Sequence, residues 1–221
     1  MRILILTDSL GCPREEIGVS DTWTDRIIKK HSGHGVYFYT QCKRGLKVLD
    51  IDVNSIKDLC PDLIIMQIGI VDAVRRALSE RELHIISCIP IIRSIVARIC
   101  RIFHYEITKI RNVHYTKKEM LYKTIAEIKD INPGKVVFIA IAPPGNKLIS
   151  DIYNVNNDID TVNDTIKSMQ GIVYLNPYPS TGNVEEYLLS DGHHLNFCGE
   201  EMVFNAVDKA IENLLKGENN V

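Results

Sequence analysis

Five short apolar runs punctuate the chain, at residues 3–6, 36–39, 63–68, 136–141 and 172–175. They are rich in Val, Ile, Phe and Tyr, and several are continuous rather than alternating, the pattern of strands covered on both faces. Between them lie segments whose apolar positions recur at helical spacing: residues 22–31, 53–59, 89–132 and 158–169. A last helix is predicted over 199–216, with Met202, Val203, Ala206, Val207, Ala210, Ile211, Leu214 and Leu215 on its apolar face. Asn196 is placed to cap it.

Strand and helix alternating in this way predict an α/β fold, a parallel sheet between two helical layers with right-handed crossovers. For five strands the commonest order is the flavodoxin-like 2-1-3-4-5, which switches direction between strands one and three. Ligands of such sheets bind at the carboxyl ends of the strands near that switch. Ser9 follows strand one, Gly69-Ile70-Val71-Asp72 follows strand three, and Asp191-Gly192-His193-His194 follows strand five. All three therefore fall on one rim. Residues 74–132 read as a helical insertion between strands three and four, one long helix or two, capping that rim. With no repeat, low-complexity tract or linker, residues 1–221 read as one domain.

Hydrophobic residues at 45% and charged residues at 24% exclude a disordered or fibrous chain. A net charge of −2 gives no reason to expect a nucleic-acid partner. The six cysteines are scattered, without a CxxC pair or metal-ligand spacing, which predicts reduced thiols and no metal site. The apolar run after Arg2 stops at Thr7-Asp8-Ser9, too short for a signal peptide. No stretch approaches the ~20 apolar residues of a membrane span. The expected location is the cytoplasm.

A serine hydroxyl becomes a nucleophile when a base takes its proton, and the base works best when a carboxylate holds its ring. Asp191 and His194, three apart, can place both side chains on one side of a tight turn. His193, two from Asp191, points elsewhere and falls to the rim as a substrate contact. Thr7-Asp8-Ser9-Leu10-Gly11, Gly69-Ile70-Val71-Asp72 and Asp191-Gly192-His193-His194 together resemble, in order and spacing, the three blocks of the SGNH (GDSL-type) hydrolase superfamily. The Ile-Val-Asp variant is similar to a branch found among bacterial surface-polysaccharide proteins.

The resemblance implies that Ser9 is the nucleophile, His194 its general base and Asp191 the orienting carboxylate, with no cofactor. It implies that the amides of Ser9 and Gly45 receive the oxyanion. Thr7 stands where the family has Gly, a position that shapes the turn. Val71 stands where the family has an Asn that donates to the oxyanion. Removing such a donor costs about 2.7–4 kcal/mol. Three accounts are open: backbone amides suffice, Gln41 or Arg75 substitutes, or turnover is weak or lost. Asp8, Arg14, Val71, Asp72 and His193 are the expected substrate contacts, with Arg75 and Arg76 beside Asp72 as local scaffolding or further contacts.

The expected activity is cleavage or transfer of a small acyl group on an oxygen, on a sugar-linked ester, through an acyl-Ser9 intermediate. The competing reading is a non-catalytic carbohydrate-binding or polysaccharide-assembly protein on the same fold. A flavodoxin-like nucleotide binder is a third, but Leu10-Gly11-Cys12-Pro13 makes a poor phosphate loop. The basic stretch from Arg93 to Lys118 has two readings. It can lie on an acidic membrane surface, or, as favoured here, pack Ile, Val and Phe onto the sheet. A homodimer contact is a further use of the same apolar turns.

Overall fold

The computed structural model describes residues 1–33, 35–132 and 134–216, so the expected domain's residues 217–221 lie outside the described residues. The apolar runs form five strands: β1 (Arg2–Thr7), β2 (Tyr37–Cys42), β3 (Leu63–Gln67), β4 (Lys135–Ile139) and β5 (Ile172–Leu175). They pair in parallel in the order β2-β1-β3-β4-β5, the predicted arrangement. The three inner strands, β1, β3 and β4, owe their two-sided burial to the period of two. Leu4, Leu6, Ile64, Met66, Val136 and Phe138 enter one apolar cluster, and their neighbours Ile3, Ile5, Leu63, Ile65, Val137 and Ile139 enter the other.

The helices are α1 (Trp23–His31), α2 (Val53–Leu59), α3 (Ile70–Ala73), α4 (Glu80–Ser87) and α5 (Pro90–Ile102). They continue with α6 (His104–Arg111), α7 (Lys118–Ile131), α8 (Asn146–Asp151), α9 (Val155–Ser168) and α10 (Phe197–Leu215). Trp23 and Ile27 of α1 pack with Val203, Val207 and Ile211 of α10 on one face of the sheet. Ile56 of α2, Ile125 and Ile128 of α7, and Ile159 and Val162 of α9 cover the other. Asn196 caps α10 as predicted, its side chain accepting from the Gly199 amide at 3.1 Å.

Three expectations change. The run expected at 36–39 is shifted to Tyr37–Cys42, a strand at the edge of the sheet whose Tyr37 and Tyr39 are exposed. The insertion is four helices, not one or two. A capping box of Ser79 and Glu82 starts α4, Pro90 opens α5, and Asn112 in the left-handed region (φ 47°) ends α6. Of these, α7 belongs to the helical layer. The favoured packing of the basic stretch onto the sheet is corrected: none of α5 is fully buried, and Ile91, Ile95, Ile99 and Ile102 are exposed. Among the described residues no helix is long and apolar enough to cross a membrane.

Candidate active site

The chain leaves β1 through Thr7 and Asp8 into a single 3-10 turn, Ser9–Gly11. Asp8 caps it by accepting the Leu10 amide at 3.0 Å. Gly11 fits because a Cβ there would sit 2.5 Å from the Thr7 side chain. The turn lifts the Ser9 hydroxyl to the carboxyl edge of the sheet, beside the loop that precedes α10.

In that loop Asp191 organises both histidines. Its Oδ1 accepts the backbone amides of His193 at 3.1 Å and His194 at 3.0 Å, and its Oδ2 meets His194 Nδ1 at 2.6 Å. His194 Nε2 lies 3.0 Å from Ser9 Oγ. With Nδ1–H donated to the carboxylate, the Nε2 lone pair faces the hydroxyl, the tautomer a general base needs. His193 lies beside it, ring centroids 3.9 Å apart and ring planes tilted by 38°. Residues 185 apart in sequence are thus joined in one hydrogen-bonded chain.

The electrostatics follow from burial. Burial, then the neighbouring His193 and Arg14, push the His194 ring down to about 4 against the opposing pull of Asp191. Burial alone would raise Asp191, but the His194 ring and the two amides outweigh it and hold the carboxyl well below its usual range. The ground state is therefore a neutral imidazole beside a carboxylate.

A pocket of about 460 Å³ opens over Ser9 and is lined by Arg14, Gly45, Val71, His193 and His194 among others. Among the described residues the backbone N–H groups of Ser9 and Gly45 have no acceptor. Gly45 is left-handed (φ 71°) with open space around it. Both residues line the pocket. Val71 reaches the pocket with an aliphatic side chain that packs on the core.

Two expected substrate contacts are corrected. Asp8 is fully buried and absent from the pocket wall; burial raises its carboxyl to about 7 and its Oδ2 has no partner. Asp72 is also buried, accepting from the Val48 amide at 3.2 Å and from the Thr116 hydroxyl. It braces the loop that carries Gly45 instead of facing solvent. The substitute donors fare no better. Arg75 pairs with Asp158 at 2.8 Å and lines a separate cavity, and Gln41 is not in the pocket wall.

Arg76, expected as scaffolding or a contact, does line the pocket, and Arg44, Lys47, Glu80 and Tyr115 line it without having been singled out as contacts. For Arg44 and Arg76 a signal existed, since both follow strands at the binding rim. A second cavity of about 580 Å³, between α4 and α5, shares Arg76 and Tyr115 with the first. Among the described residues Asp191, His193 and His194 form the one group compact enough to hold a cation. Two of its three members are already committed to each other through the 2.6 Å contact.

No protein-family model matches the chain, and no curated protein matches its sequence. Solved structures do match in shape. TesA is 12% identical at a TM-score of 0.62, with 97% of this chain and 99% of that one covered. A lipase/acylhydrolase from Enterococcus faecalis is 15% identical at 0.61, covering 96% of each chain. Axe2, an acetyl-xylooligosaccharide esterase from Geobacillus, is 12% identical at 0.60, covering 94% and 92%. The chain shares the fold of these lipolytic and acetyl-ester-cleaving structures.

Proposed function

We propose that this chain is a serine hydrolase that cleaves or transfers a small acyl group on an oxygen. The observation carrying the reading is the continuous chain Ser9–His194–Asp191, at 3.0 and 2.6 Å, at the mouth of a pocket. Ser9 Oγ attacks the ester carbonyl as its proton passes to His194 Nε2, and Asp191 stabilises the imidazolium. The free amides of Ser9 and Gly45 receive the oxyanion. His194 then protonates the departing oxygen as the C–O bond breaks, leaving acyl-Ser9. Water, or a sugar hydroxyl in a transfer reaction, gives its proton to His194 and takes the acyl group, and the proton returns to Ser9.

A carbohydrate ester is the first substrate class to test, supported by the shared fold with an acetyl-xylooligosaccharide esterase. A reducing, cytoplasmic setting is supported by six free cysteines. One observation favours the second reading, a carbohydrate-binding protein without turnover: Val71 offers no side-chain donor to an oxyanion.

A fluorophosphonate probe separates the two. It is expected to label wild type and to fail on Ser9→Ala. Folded wild type that stays unlabelled supports the binding protein.

A further inference from the structure

Three guanidinium groups converge on the catalytic pocket, and each is held by a backbone carbonyl. Arg14 Nη2 donates to the Ser9 carbonyl, Arg44 Nη2 to Pro13 O at 2.7 Å, and Arg76 Nη2 to Val71 O at 3.3 Å. Among the described residues none of the three pairs with a carboxylate. The Nε atoms of Arg14 and Arg76 are buried and make no hydrogen bond.

Glu16 attracts Arg14 and Asp72 attracts Arg76 without either forming an ion pair, and the other nearby acids are engaged elsewhere. Glu80, on the same wall, meets Lys47 at 2.7 Å. Asp191 is bound to His194, and Glu200 accepts the Trp23 amide at 2.8 Å. A carbonyl dipole positions a guanidinium without cancelling its charge. Burial lowers the pKa of Arg14 and Arg76, yet arginine stays protonated in proteins. Tyr115, its ring 5.1 Å from the Arg76 carbon, gives partial compensation through its π-face. Arg44 is exposed, but keeping the partly buried Arg14 and Arg76 charged without a paired carboxylate is costly until a partner arrives. The planar fork of arginine fits a two-oxygen anion better than a neutral hydroxyl.

We infer that the ester turned over here carries an anionic oxygen group, a phosphate or a carboxylate, gripped by Arg14, Arg44 and Arg76. The inference rests on the hydrolase reading for the word ester, and on the three guanidinium groups alone for the anion. The anion sits on the part of the substrate that is not the reacting acyl carbonyl, since Ser9 and Gly45 hold that oxygen.

Three O-acetylated sugars test it: acetylated glucose, acetylated glucose 6-phosphate and acetylated glucuronic acid. The wild type is expected to favour at least one charged ester over the neutral one by about ten-fold in kcat/KM, through KM. The preference should shrink as salt rises. Which charged ester wins tells phosphate from carboxylate. In Arg44→Gln and Arg76→Gln the charged-to-neutral ratio, measured within each protein, is expected to fall toward one. Arg76→Lys should keep part of it.

A second arm needs no turnover. Inorganic phosphate, against chloride at equal ionic strength, is expected to raise the melting temperature of Ser9→Ala but not of the triple variant Ser9→Ala/Arg44→Gln/Arg76→Gln. Equal use of charged and neutral esters by wild type overturns the inference. If no ester is cleaved, the phosphate arm decides alone: no specific stabilisation overturns it. Failure of the hydrolase reading shows separately, as absent fluorophosphonate labelling.

Discussion

In the proposed mechanism His194 can take the Ser9 proton only as a neutral imidazole, so its titration is expected to set the acid limb of activity. Burial, His193 and Arg14 favour the neutral ring, and Asp191 opposes them. The net downward shift, to about 4, means the base stays competent as pH falls below the usual histidine range. The kcat/KM profile on p-nitrophenyl acetate is therefore expected to hold its plateau below pH 6 before falling. Replacing His193 with Gln removes one depressing neighbour and should move the limb upward. A wild-type limb at or above the ordinary histidine value near 6.5 contradicts this account. At this scale the meeting of Ser9, Asp191 and His194 was legible, because Ser9 follows β1 directly and Asp191 and His194 have a spacing a turn can use. Asp8 and Asp72 were not. A carboxylate has the same letter whether it meets substrate or braces a loop, and only the fold reveals that both are buried.

The turns at Ser9–Gly11 and Asp191–His194 carry the site between elements, and each contains a glycine with no room for a side chain. Gly192 is left-handed (φ 76°), donates to Leu189 O at 2.9 Å and accepts from the Gly145 amide at 2.8 Å. A Cβ there would stand 2.9 Å from the Leu148 amide nitrogen and 3.2 Å from Gly145 O. Both Asp191 and His194 hang from this turn. Gly192→Ala is expected to cost about 1–3 kcal/mol and to displace the carboxylate from the imidazole. Thermal melts should show the loss, and kcat should drop more than KM rises. An unchanged melt with full turnover would mean the turn is not what aligns the pair. The sheet elements were legible because two-sided burial writes continuous apolar runs. The breaks in the insertion were not, since helical periodicity carries across Pro90 and Asn112 while the backbone does not.

For the molecule as a whole, apolar periodicity says that a helix has an apolar side, and contact alone says what that side touches. In α7 and α5 the same pattern has opposite outcomes. Ile125 and Ile128 of α7 are buried against the sheet, whereas Ile91, Ile95 and Ile99 of α5 are 76%, 55% and 47% exposed. At about 100° per residue, Ile91, Ile95, Ile99 and Ile102 fall on one stripe. The opposite side of α5, through Ala97 and Cys100, faces the cleft shared with Leu83 and Ile86 of α4. The stripe therefore adds little buried area to the folded chain, and its removal should cost little. Ile91→Ser, Ile95→Ser and Ile99→Ser are each expected to change stability by less than about 0.5 kcal/mol, a melting shift of about 2 °C or less. Ile128→Ala, from the covered helix, should cost about 2–5 kcal/mol. Melts on the same preparation at several protein concentrations check both. A large, concentration-dependent loss from the α5 substitutions would show that the stripe is packed in solution against a second copy.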